Sequence, residues 1–362
     1  MLCPPQEDTI ISRRISHGTW TEHQTTYFGE QSAADRDATF AHVDSFGGER
    51  WLSLVRKDVS GLRTPTSPTC VISEKGACGG LQTGSVSSTP TLPVFHNGRL
   101  IGQVFEDPDA KYCLLGGIYP SDPSAPPGAQ AEEVFRIIEA SLAGAGMDFR
   151  HVVRTWFYND RILDWYADFN RVRTTFFREH GITLLPASTG IGAPNPLGTA
   201  LVAKVTAALP KSDKLVVRMG RSPLQCEASA YGSAFSRAIE VAGPHARTLY
   251  VSGTASIEHG GKTVHQGNTE LQIRKTMEVV QAILDAAGMD PGDTTRAVAY
   301  FRRTEDIALW HEYCLSEALP ALPLVTAGCT ICRDDLLFEI ELDASKSAGS
   351  PRRAENLDYS RL

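Results

Sequence analysis

The chain has 362 residues, with 35 Lys and Arg against 42 Asp and Glu, a formal charge of −7. That balance gives no general reason to expect nucleic acid or an anionic membrane as a partner. A hydrophobic share of 42% with 21% charged residues is the composition of a soluble globular protein. No apolar run approaches the ~18 residues of a membrane span, and the start MLCPPQEDTI lacks the basic-then-apolar pattern of a secretory leader. Eight scattered cysteines do not make a disulfide framework, so free thiols in a reducing cytoplasm are expected.

In chain order, residues 1–58 contain short strand-like runs such as 51–55 without a recognisable motif, and 59–91, rich in Ser, Thr, Pro and Gly, read as a long loop or a poorly ordered insertion. Strands are predicted near 100–105 and 112–119, a helix over 134–146, a strand over 152–158, a helix over 162–177, then strands near 188–192 and 199–207. The same order returns: strands at 215–219, 235–241 and 248–254, a helix over 271–288, a strand over 297–301, a helix over 307–315, then strands near 324–332 and 336–342. Residues 145–148 and 287–290 both read Ala-Gly-Met-Asp, and Trp165 and Trp310 fall at matching places in their helices. A repeat of this length marks one fold used twice. The expected organisation is an N-terminal domain over 1–210 that includes the extension and the 59–91 loop, a C-terminal domain over 211–344, and a flexible tail over 345–362. Each unit is α+β, a mostly antiparallel sheet with two helices on one face.

The last strand pattern carries the chemistry. Leu336, Phe338, Ile340 and Leu342 alternate with Leu337, Glu339 and Glu341, so the carboxylates face away from the helices. A two-residue turn at Asp334-Asp335 would pair Cys332 with Leu337 and Thr330 with Glu339, putting Thr330, Cys332 and Glu339 on one surface. Solvated glutamates on an outer face are the plain alternative. The first copy weighs against it, because it carries Val202 and Lys204 where the second carries Glu339 and Glu341. Cys329 and Cys332 form a CxxC, but residues three apart on a strand face opposite sides and no second pair completes a zinc site, so no metal is expected.

Arg154 shares a strand face with Trp156 and Tyr158, a setting suited to gripping a carboxylate, and Arg161 follows close behind. The run from Arg221 through Tyr231 to Arg237 is dense in polar donors and reads as an irregular loop able to touch a ligand.

The segments 152–160 and 336–342 resemble signature segments of the YjgF/Rid proteins, whose units assemble as trimers with clefts between subunits. Two such units in one chain, with Ser222-Pro-Leu-Gln-Cys-Glu-Ala and Tyr231-Gly-Ser-Ala-Phe-Ser-Arg237 between them, resemble the chorismatases over roughly residues 92–343. The resemblance implies tandem YjgF/Rid-like (chorismate-mutase-like) units, chorismate as the small-molecule substrate, pyruvate as a product and no cofactor. By position it makes Glu339 the catalytic acid. Cys332, seven residues earlier, matches the 3-hydroxybenzoate-forming branch. Arg154 and Arg161 correspond to carboxylate-binding arginines, and Arg221 and Tyr231 are further substrate-binding candidates. A monomer is favoured, with an oligomer as the alternative.

Protonation of the enolpyruvyl methylene by Glu339 and displacement by the neighbouring ring hydroxyl would give pyruvate and 3-hydroxybenzoate through an arene-oxide-like intermediate. Attack of water would instead give pyruvate and a dihydrodiol. A Rid-type imine deaminase is the rival enzyme, disfavoured because Leu324 stands where such enzymes hold an arginine. A non-catalytic binder of small acids is the rival outside enzymes.

Overall fold

The structure, a computed structural model, describes residues 10–28, 49–56, 69–73, 80–228 and 232–348. Among them the strands form three sheets. The N-terminal sheet contains β1 (Ile10–Ser16), β2 (Thr21–Phe28), β3 (Glu49–Arg56), β4 (Thr69–Ser73) and β5 (Gly80–Ser87), in the order β1-β2-β5-β3-β4. The middle unit runs β6 (Thr91–His96), β7 (Arg99–Glu106), β8 (Ala110–Ile118), α1 (Pro127–Gly144), β9 (Val152–Asn159), α2 (Ile162–Glu179), β10 (Ala187–Gly192) and β11 (Leu201–Pro210). The last unit runs β12 (Val216–Met219), β13 (Ala238–Ala242), β14 (Ala246–Ala255), α3 (Thr269–Ala286), β15 (Thr294–Phe301), α4 (Ile307–Ser316), β16 (Leu324–Gly328) and β17 (Phe338–Ser347). Their sheet orders, β10-β9-β11-β8-β7-β6 and β12-β13-β14-β17-β15-β16, are the same sequence read from opposite edges.

The repeated Ala-Gly-Met-Asp has a local physical meaning. In both copies the glycine adopts positive φ (70° at Gly146, 66° at Gly288). The methionine N–H then reaches back to the carbonyl of Leu142 or Leu284, and the glycine N–H to that of Ala143 or Asp285. This is the left-handed cap that satisfies the last helical carbonyls. Met147 and Met289 bury themselves against the helix they end, and Asp148 and Asp290 cap the single turn that leads into β9 and β15. Four residues thus stop a helix and aim a strand.

Each unit packs its helices on one sheet face. Val134, Phe135, Ile138 and Leu142 of α1 meet Phe169, Val172 and Phe176 of α2 over Leu201, Ala203 and Val205. In the last unit Ile273, Met277, Val280 and Ile283 meet Trp310 over Phe338, Ile340 and Leu342. The opposite faces meet between units, where Trp156, Tyr158 and Val202 pack with Val298, Tyr300, Val325 and Leu336. Leu336, expected on the helix side, belongs to this inter-unit core instead.

Two expectations are corrected here. The stretch 59–91 is not all loop, since it contributes β4, β5 and the first residue of β6. Its Gly-Leu-Gln-Thr-Gly-Ser-Val-Ser run lacks a strong apolar alternation, but β5 lies between β2 and β3 and is hydrogen-bonded on both sides, so pairing overrides weak propensity. The N-terminal sheet also repeats the order of the middle unit without its outermost strand: β1-β2-β5-β3-β4 corresponds to β7-β8-β11-β9-β10, with β3 and β4 parallel as β9 and β10 are. The expected tail begins later than 345, because β17 extends to Ser347; residues 349–362 lie outside the described residues.

The three sheets close on one another. Ala187 of β10 bridges to Ser236 ahead of β13. Gln82 of β5 donates to the Ala297 carbonyl at 2.8 Å, and β4 packs against β8. Among the described residues no helix is long and apolar enough to cross a membrane.

Candidate functional site

A cavity opens at the seam between the middle and last units. The middle unit supplies Tyr166 and Arg173 from α2 with Ser188 and Gly190 from β10. The last unit supplies Phe235, Arg237, Gly253, Ala255, Cys332, Arg333 and Glu339. Glu339 and Cys332, expected on one surface, both line this cavity.

They come together by a different route from the expected hairpin. Strand β16 stops at Gly328 and lies parallel to β15, while β17 inserts between β14 and β15. Residues 329–337 form the connection, and Thr330 bridges to Gly192 of the middle unit rather than to Glu339. Because β15 lies between β16 and β17 in the sheet, the two do not form a tight hairpin.

Glu339 is 4% exposed. Burial, and next the negative charge of Glu341, raise its carboxyl to about 8, against the pull of Arg154 and Arg237. It is a neutral acid at neutral pH. Its placement depends on a bulge in β14: Val251 pairs with Leu342 and Thr254 with Ile340, so β14 carries one residue more than β17 between them. Such bulges re-aim side chains. Here the bulge lays Gly253 against the acid, and a Cβ on Gly253 would fall 2.1 Å from Glu339 Oε1. The middle unit has the corresponding irregularity between β8 and β11, at Gly116-Gly117, but carries Val202 and Lys204 where the last unit carries Glu339 and Glu341.

Glu341, two residues on, has the opposite character. It is fully buried and accepts from Arg154 Nη2 at 2.7 Å, from Trp156 Nε1 at 2.9 Å and from Arg296. Burial alone would raise it, but Arg296 and then Arg154 outweigh that and hold it at about 2. Arg154 and Arg296 occupy equivalent places, 142 residues apart as the two Ala-Gly-Met-Asp copies are, so the two units grip one carboxylate. Arg154 Nη2 also donates to Thr189 Oγ1 at 2.7 Å, which accepts the Gly253 N–H at 3.1 Å. The cluster thereby ties both strands to the seam between the units.

Cys332 is half-buried, and burial followed by the charge of Glu339 pushes its thiol up to about 12. It is a neutral thiol that lines the cavity together with Tyr166. Cys329 packs instead into the inter-unit core, so the CxxC does not converge. Among the described residues no group of three or more His, Cys, Asp and Glu is placed to hold a metal ion.

The arginine expectations need correction. Arg154 is committed to Glu341 and does not line the cavity. Arg161 caps α2 in the left-handed conformation with its side chain 76% exposed beside Asp160 and Asp164, away from the cavity lining. A polar cap position points outward where the strand–helix turn bends, which sequence proximity to Arg154 cannot reveal. Arg221 is exposed and outside the lining, and Tyr231 lies outside the described residues.

The cations that do reach the cavity are Arg173, Arg237 and Arg333. Arg173, 1% exposed, lies over Phe169 and Phe235 and donates to Asn170 Oδ1 at 2.6 Å. Arg237, 2% exposed, donates to the Cys226 carbonyl at 3.0 Å and lies over Phe235. A signal for Arg173 was present: it interrupts the apolar face of an amphipathic helix seven residues after Tyr166, and a charge on such a face needs a purpose.

With this geometry in view, the chain was compared with known proteins. Residues 227–346 match the family model described as Endoribonuclease L-PSP. A 3-hydroxybenzoate synthase of Streptomyces hygroscopicus is 26% identical over 260 residues, covering 64% of this chain and 74% of the relative. A crystal structure of a chorismatase superposes with a TM-score of 0.68 at 20% identity, covering 89% of this chain and 98% of the other. The tandem α+β units, the match of the last unit to the L-PSP model and the shared architecture over nearly the whole chain agree: the chain has the fold of that chorismatase, built on tandem Rid-like units.

Proposed function

We propose that this protein is an enzyme that converts chorismate to pyruvate and 3-hydroxybenzoate. The observation that carries the reading is a buried, neutral carboxylic acid, Glu339, facing a cavity bordered by three arginines. Chorismate has two carboxylates and an enol ether, and its cleavage needs cationic grips and one proton donor.

In this reading Arg173, Arg237 and Arg333 hold the carboxylates, since guanidinium groups pair with them in directed fashion. Glu339 protonates the terminal methylene of the enolpyruvyl group, and the ether carbon becomes an oxocarbenium centre. The neighbouring ring hydroxyl then attacks the ring carbon bearing the ether, the ring C–O bond breaks, and pyruvate leaves as the ketone. The hydroxyl proton returns to the Glu339 carboxylate. The epoxide formed opens and aromatises to 3-hydroxybenzoate. Cys332, an uncharged thiol beside the acid, favours this course over attack by water. Glu341 stays ionised and does no proton transfer; its charge helps keep Glu339 protonated.

The ring of three sheets completes its seams within one chain, which supports a monomer; light scattering tests this. The activity is tested by incubating the purified protein with chorismate, assaying pyruvate and separating the ring product. Pyruvate with 3-hydroxybenzoate is the expected outcome. Pyruvate with the dihydrodiol would assign the hydrolytic branch, and absence of pyruvate would overturn the reading.

A further inference from the structure

Tyr166 has no part in the chemistry assigned so far, yet it occupies a distinctive place. It lies on α2, seven residues before Arg173, so both project from one helix face toward the cavity. Its ring stacks on Phe169 with planes 10° apart, which fixes the direction in which the hydroxyl points. That hydroxyl passes over Gly190 of β10, where a Cβ would sit 3.4 Å from the tyrosine oxygen. It shares the cavity lining with Cys332, across the seam between the units. At the corresponding place in α4, one residue after Trp310, the last unit has His311.

The thiol and the acid belong to the last unit, and the tyrosine that shares their cavity comes from the middle one. A cysteine side chain rotates freely about one torsion, and three staggered positions would otherwise compete. A phenol O–H donated to the sulfur would select one of them and leave the S–H to point elsewhere in the cavity.

We propose that Tyr166 is the positioning residue for Cys332: its hydroxyl holds the sulfur in the orientation that directs the ring hydroxyl, rather than water, to the carbon losing pyruvate. The proposal rests on the chorismate-cleaving reading above. It adds a residue on the opposite unit to the determinants of product, acting through the thiol rather than on the substrate.

The test compares Tyr166→Phe, Cys332→Ala and the double variant with the wild type, reading the ratio of 3-hydroxybenzoate to dihydrodiol per pyruvate released. Loss of one hydrogen bond predicts a roughly 2- to 10-fold shift toward the diol in Tyr166→Phe. In the Cys332→Ala background the tyrosine change is expected to shift the ratio no further, because nothing remains for it to orient. An unchanged ratio in the single variant, or a full second shift in the double one, overturns the proposal. A second arm needs no substrate: the infrared S–H band of Cys332, isolated by subtracting the Cys332→Ala spectrum, should move in Tyr166→Phe. If wild type releases no pyruvate, the chorismate reading falls, and this band alone decides whether the pair exists; an unmoved band removes it.

Discussion

Arg154 of the middle unit and Glu341 of the last unit meet at 2.7 Å with neither side chain exposed. The pair joins two units across their interface, and Arg296 closes it from the other side. Removing one partner of a buried ion pair strands the remaining charge. Glu341→Gln should therefore cost about 3–5 kcal/mol of stability, measured by denaturant unfolding at neutral pH. Because the folded-state carboxyl is held down, its contribution is present above the ordinary value of 4.5 and is lost as pH falls toward 2. The difference between wild type and variant should narrow over that acid range and no other.

The same substitution should reach the active acid. Glu341 is the charge that, after burial, raises Glu339. The wild-type rate of pyruvate release should fall as pH rises through about 8. In Glu341→Gln that alkaline limb should move to lower pH, and an unmoved limb would show that burial alone sets it.

Glu339→Gln removes the proposed proton donor while keeping shape, and the loss expected for a general acid is roughly 10²- to 10⁴-fold. The stability sign is the reverse of the Glu341 case. A raised carboxyl favours folding below 4.5 and loses that advantage as pH rises toward about 8. The glutamine variant should thus unfold at higher temperature than wild type near pH 8, with no difference near pH 4. A variant less stable at pH 8 would mean that the ionised form has partners in the folded protein.

Gly253→Ala tests the bulge. The added methyl would meet the far end of the Glu339 side chain, which can swing aside, so stability should change by less than about 1 kcal/mol. Displacing the acid by an ångström should nonetheless slow pyruvate release by on the order of 100-fold. A large loss of stability with an intact rate would reverse this assignment.

The arginines separate the two ways of reading the site. Arg173→Ala should raise KM for a dicarboxylate substrate by roughly 10- to 100-fold, the worth of a charge-assisted hydrogen bond. Arg161→Ala, at an exposed helix cap, should leave both kinetic constants within about twofold. Steady-state kinetics on the two variants decides between them.

Much of this was legible in local pattern. The alternation through Leu342 placed Glu339 and Glu341 on the face away from the helices, because a strand's side chains must alternate whatever surrounds it. The repeated Ala-Gly-Met-Asp revealed the duplicated unit, because a left-handed cap needs glycine wherever the chain leaves such a helix. The comparison of Val202 and Lys204 with Glu339 and Glu341 pointed to the unit that carries the acid. What the chain alone could not supply is which side chains meet. Cys332 reaches Glu339 through a loop docked on Gly192, Arg154 is consumed by Glu341, and Arg173 enters the cavity from a helix of the other unit. The weakly patterned N-terminal stretch becomes a third sheet only because neighbouring strands hold it. Periodicity is set by backbone geometry within a few residues, whereas the cavity exists only where separately formed units dock, and that contact is written in no single segment.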